Sequence, residues 1–65
     1  MCLSKVYDSK RDDGSLVIDE VMSVNNIDGR IEINTLMGTE RVLEGYIIGE
    51  VNLMENYVIL RSKGE

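Results

Sequence analysis

The chain has no histidine, no proline, no tryptophan and no phenylalanine, and only one cysteine, Cys2, among its 65 residues. Each gap removes a class of chemistry. Without imidazole there is no histidine metal ligand, and Cys2 has no histidine base to activate it as a nucleophile. A lone cysteine cannot close a disulfide within the chain. No run approaches the roughly 18 consecutive apolar residues of a membrane span. The opening Met1-Cys2-Leu3-Ser4-Lys5 lacks an apolar secretory core, so an intracellular product is expected, with its thiol kept reduced in the cytoplasm. There is no glycine-rich phosphate loop and no serine–histidine–aspartate set. The reading is therefore against an enzyme.

Sixty-five residues make one domain, 1–65. Below 70–80 residues a single core yields roughly 3–5 kcal/mol, and such domains usually need a staple. With disulfides excluded, the staple is a metal, a partner chain or very good packing, which favours a homodimer. Seven basic residues face 12 acidic ones, for a net charge of −5. The cations Lys5, Lys10, Arg11, Arg30, Arg41, Arg61 and Lys63 are scattered along the chain. Nucleic-acid binders show the opposite field, a basic stripe that neutralises phosphates. An acidic surface instead keeps a small protein soluble and concentrates cations around it.

Glycine and Asn/Asp clusters supply the punctuation: Lys10–Ser15, Asn25–Gly29, Met37–Glu40 and Met54–Asn56. Two of these contain Asp-Gly, the pair that provides positive φ angles for tight hairpins. The intervening segments are short and rich in Val, Ile, Leu and Tyr. They predict strands over Cys2–Asp8, Leu16–Asn25, Arg30–Met37, Glu40–Leu43, Ile47–Leu53 and Tyr57–Ser62. Arg30-Ile31-Glu32-Ile33-Asn34 alternates most cleanly. Leu16–Val24 breaks phase at Asp19-Glu20, which predicts a bend or bulge. Glu44 to Gly49 is expected to hold a short helical turn or a kink between strands. The expectation is an all-β protein, a small bent antiparallel barrel of the SH3-like or Sm-like kind, because closure removes aggregation-prone edges. The predicted core is Val6, Leu16, Ile18, Val21, Ile31, Ile33, Val42, Ile48, Val51, Val58 and Leu60.

Cys2 is the most distinctive residue, because its thiol lies beside the chain's own α-amine. The opening Met1-Cys2-Leu3-Ser4-Lys5-Val6 resembles the start of CooT-like proteins, nickel-binding accessory proteins of carbon monoxide dehydrogenase maturation. The likeness continues through Asp12-Asp13-Gly14, Leu16–Val21, Gly29-Arg30-Ile31, Thr35-Leu36, Ile48–Leu53 and Tyr57–Leu60. It thus covers nearly the whole chain. Only the position of Cys2 is chemically specific; the remainder is a pattern of apolar and turn residues. The resemblance implies a homodimer of small β-barrels that binds nickel through the N-terminal cysteine of each subunit, as a metallochaperone or nickel store serving a nickel-dependent client enzyme.

The donor chemistry agrees with that implication. Ni²⁺ accepts square-planar nitrogen and sulfur ligation. One chain offers the Cys2 thiolate, the Cys2 backbone amide and an N-terminal amine, that of Met1 if it is retained. Two chains at a twofold axis supply two thiolates and at least two nitrogens, hence one metal per dimer. Cysteine at position 2 usually permits removal of Met1, which would leave a five-membered amine–thiolate chelate.

Other features are read structurally. Met22, Met37 and Met54 could be soft copper ligands, but methionine commonly fills core gaps, and packing is expected. Asp12-Asp13 and Asp19-Glu20 lack the ligand spacing of a calcium loop and are expected to be solvated turns. Tyr7, Tyr46 and Tyr57 are expected in barrel packing or a dimer surface. Two other functions remain open. Hydrogenase maturation chaperones of the HypC family also open Met-Cys with an apolar third residue, although their usual proline and glycine after the cysteine and their C-terminal helix are missing here. A metal-free Sm-like or SH3-like module for RNA or protein is the other; a clustered basic groove would favour RNA.

Overall fold

The computed structural model describes residues 3–64. The expected metal ligands Met1 and Cys2 lie outside them. Six strands form one sheet: β1 (Ser4–Asp8), β2 (Leu16–Ile27), β3 (Arg30–Thr35), β4 (Glu40–Glu44), β5 (Tyr46–Asn52) and β6 (Tyr57–Ser62). Their spatial order is β4-β3-β2-β1-β6-β5. The protein is all-β, as expected. The barrel is not closed by hydrogen bonds, however, since β4 and β5 remain as free edges.

The reason is at Gly45. Only this residue separates β4 from β5, and its φ is +86°. That is left-handed backbone, which glycine reaches without a Cβ penalty. The turn is a kink and does not reverse the chain. β4 and β5 therefore run the same way on opposite edges of the sheet, joined covalently across the gap. One consequence follows by parity. Four of the pairings are antiparallel, but β1 and β6 pair parallel, Lys5 opposite Tyr57 through Asp8 opposite Leu60. The all-antiparallel expectation is corrected on this point. The Lys63 amide donates to the Gly45 carbonyl at 2.8 Å and pins the kink to the end of β6.

The long second strand bends where its sequence loses phase. Glu20 has φ +57°, and register shifts flank it in the pairings with both β1 and β3. The first half of β2 thus pairs with β1 and the second half with β3, on differently oriented parts of a curled sheet. The β2–β3 hairpin closes on Asp28-Gly29, with φ +52° and +80° and Ile27 opposite Arg30. These are the two positive angles of a two-residue primed turn. Asp13-Gly14 does not act this way. It falls in a short 3-10 turn, Asp13–Ser15, within a longer loop.

Val6, Val21, Ile31, Ile33, Val58 and Leu60 form the buried core, with Ile18 packed against it. Leu16, Val42, Ile48 and Val51, also predicted inside, are exposed. Val42, Ile48 and Val51 belong to the two edge strands, and Leu16 opens β2 after a surface loop. A second apolar layer, absent from the predicted core, lies on the opposite face of β1 and β6. Tyr7 and Ile59 are buried there. Tyr7 meets Tyr57 edge-on, with ring centroids 6.1 Å apart. Arg11, from the loop after β1, lies 4.4 Å over the Tyr57 ring.

Candidate functional site

The end of the sheet from which the chain starts is the candidate site. β1 is an interior strand, held between β2 and β6, so Ser4 and Lys5 are fixed points. Beside this anchor runs an apolar cleft of about 190 Å³, lined by Ser4, Met22, Ile48, Val51 and Val58 among others, with no charged side chain in its wall.

On the other side of the anchor is the β5–β6 turn. The Lys5 amide donates to the Asn56 carbonyl at 3.1 Å. A polar cluster fixes the turn. The Glu55 amide donates to Asn52 Oδ1 at 2.8 Å, and Asn52 Nδ2 donates to Tyr57 Oη at 3.3 Å. Tyr57 Oη donates to Glu50 Oε2 at 2.9 Å, and Arg11 Nη1 donates to Glu55 Oε1 at 2.6 Å. The two partners in that last pair are 44 residues apart. The other members, Glu50, Asn52 and Tyr57, lie within eight residues of sequence, but the sequence gives no sign of the Arg11 contact.

The other sequence candidates are dispersed. Met22, Met37 and Met54 are not core filler: they are 54%, 80% and 91% exposed. Asp19 accepts the Glu20 amide and faces Lys5 at 3.9 Å, while Asp12 faces Lys10 at 3.5 Å. One carboxylate of each pair thus faces a lysine; Asp12-Asp13 lies in the loop after β1, whereas Asp19-Glu20 lies at the bend inside β2, so the turn expected there is corrected. Among the described residues, no three His, Cys, Asp or Glu side chains come together as a metal-holding group. Lys5, Lys10 and Arg11 each face a carboxylate, and Lys63 Nζ donates to the Gly29 carbonyl. These pairings lower the charge available to a nucleic acid.

Two phenols feel their carboxylate neighbours. The hydrogen bond to Glu50 raises Tyr57 above the usual tyrosine value, and the bond to Asp8, 2.9 Å from the phenol oxygen, does the same for Tyr46. In both cases the protonated phenol is the form the fold favours. The stability each contributes is complete below the unfolded value near pH 10 and is lost as pH rises through the higher folded value. Tyrosinate absorbance, read with Tyr46→Phe and Tyr57→Phe to assign the signals, is expected to show both phenols ionising at higher pH than in the urea-unfolded chain. Ionisation at the same pH in both states would contradict the two hydrogen bonds.

Residues 1–61 match the family model described as CO dehydrogenase accessory protein CooT. Among solved structures, a CooT chain from Carboxydothermus hydrogenoformans superposes with a TM-score of 0.78 at 15% identity, covering 94% of this chain and 97% of that one. At that identity the superposition speaks for the fold alone. No curated protein matches the sequence. The family match spans the cysteine-bearing start and every strand of the sheet except the last residue of β6. The chain belongs to the CooT family of CO dehydrogenase accessory proteins.

Proposed function

We propose that this protein is a nickel-binding accessory protein that carries or stores Ni(II) for the maturation of a nickel enzyme such as carbon monoxide dehydrogenase. The observation that carries this reading is the family match, which begins at residue 1 and so includes Cys2. Nickel is the cargo. Its donors are the Cys2 thiolate with main-chain nitrogen from the Cys2 amide and the terminal amine, which is that of Met1 where Met1 is retained. A soft thiolate beside strong nitrogen donors suits square-planar Ni(II). One chain supplies a single thiolate, so a homodimer with its axis near the N-termini completes the set. The uncharged cleft beside Ser4 supports that arrangement, because it lets two chains of charge −5 approach. A terminal thiolate also suits release, since a client's ligands can displace it stepwise. The cytoplasm, where thiols stay reduced, is the compartment this chemistry needs.

Calorimetric titration with Ni²⁺ tests the proposal. The native protein is expected to bind half an equivalent per chain, and Cys2→Ala to lose at least a hundredfold in affinity. Binding weakens as pH falls, because thiol and amine must shed protons to ligate. Equal binding by the native protein and Cys2→Ala would end this reading.

A further inference from the structure

The β5–β6 turn joins two strands with four residues, and its polar members all have structural work. Asn52 accepts the Glu55 amide, Glu55 holds Arg11, and Asn56 takes the left-handed conformation at φ +58° that asparagine tolerates. Leu53 and Met54 have none. They are 85% and 91% exposed, at positions where connecting turns ordinarily carry polar residues. Arg11, Tyr57, Glu50 and Asn52 brace the turn from below through the contacts described above. A polar cluster drawn from residues 50–57, with Arg11 added from the loop after β1, thus holds two large apolar side chains in water. A rigid apolar projection loses little entropy on binding, which is how interface anchors gain affinity.

Placement and charge identify the partner. The turn is hydrogen-bonded to Lys5 of β1, so whatever grips it lies at the end of the sheet where β1 begins. Glu50 and Glu55 lie on the hairpin beside the projection, Glu55 paired with Arg11, and the chain is acidic overall, with a net charge of −5. Away from the uncharged cleft, a second copy would bring the same negative field, whereas a different protein with a basic rim would be attracted. We infer that Leu53 and Met54 form a preorganised docking element that inserts into an apolar pocket rimmed by basic residues on the client protein. The inference rests on the nickel-delivery reading for the client's identity. The bracing cluster is then a positioning device, and methionine at the tip lets it adapt to the pocket.

The test measures binding of the metal-free full chain to immobilised nickel-free carbon monoxide dehydrogenase. The native protein and Cys2→Ala are expected to bind alike, more weakly as salt rises. Leu53→Ser/Met54→Ser is expected to bind at least tenfold more weakly, with an unchanged urea midpoint because both side chains are exposed. Equal binding by the double variant, or no binding by the native protein, overturns the docking element. A shift of the double variant to monomer in native mass spectrometry also overturns it, since the tip would then face a second copy. Nickel titration of the same double variant separates the two ideas: retained nickel binding leaves the delivery reading intact even if docking fails.

Discussion

Leu60→Ala is expected to leave most of the protein unfolded at 37 °C. Leu60 is fully buried, in a core it shares with Val6, Val21, Ile31, Ile33 and Val58. It lies on β6 between β1 and β5, opposite Asp8 on one side and Ile48 on the other. Truncating a buried leucine to alanine costs about 2–5 kcal/mol, through lost transfer energy and the cavity left behind. A core of this size provides roughly 3–5 kcal/mol in total, so one substitution removes most of the margin. Urea denaturation followed by circular dichroism reads the effect directly. Leu53→Ala, at an exposed turn position, is the control and is expected to change stability by less than about 0.5 kcal/mol. Similar midpoints for the two variants would contradict the assigned core. Because association adds stability by mass action, the comparison belongs at one protein concentration.

Gly45→Val is the second large effect. Residue 45 needs a positive φ, and a β-branched side chain is strained there by about 1–3 kcal/mol. A Cβ at this position meets no atom within 4 Å. The cost is therefore in the backbone alone, and Gly45→Ala should show a smaller share of it. The kink also carries β4 from one edge of the sheet into β5 at the other, so straightening it would draw β5 away from β6. Hydrogen exchange is expected to show lost protection in β5 and at Lys63, whose amide bonds the Gly45 carbonyl. The β2–β3 hairpin should stay protected. Unchanged stability and uniform protection in Gly45→Val would show that the kink is not required.

These two sites mark where the sequence is readable and where it is not. Arg30–Thr35 alternates polar and apolar side chains, and its strand buries Ile31, Ile33 and Thr35 on one face. Asp28-Gly29 signalled its hairpin for a local reason, the demand for two positive φ angles. Gly45 gives an equally local signal, yet glycine marks a reversal and a kink alike. The parallel pairing of β1 with β6 depends on which one forms, so it was hidden. The same ambiguity explains the exposed Val42, Ile48 and Val51. Their apolar character fits strands, but only the sheet order makes those strands edges. Three successive buried residues, Val58-Ile59-Leu60, reflect a strand covered on both faces, the outer one beneath Tyr7 and the Arg11 loop. That cover depends on contacts between the loop and the last hairpin, far apart in the chain. Cys2 stands out in the sequence by its position alone and lies outside the described residues. The bracing of the β5–β6 turn was hidden at Arg11, which joins the cluster of Glu50, Asn52, Glu55 and Tyr57 through Glu55, 44 residues away.

The most direct measurement is native mass spectrometry of the protein with a slight excess of Ni²⁺, alongside Cys2→Ala. The account predicts a two-chain species carrying a single nickel ion, and no retained nickel on the variant. Nickel held at full occupancy by single chains, or the same nickel load on Cys2→Ala, would contradict it.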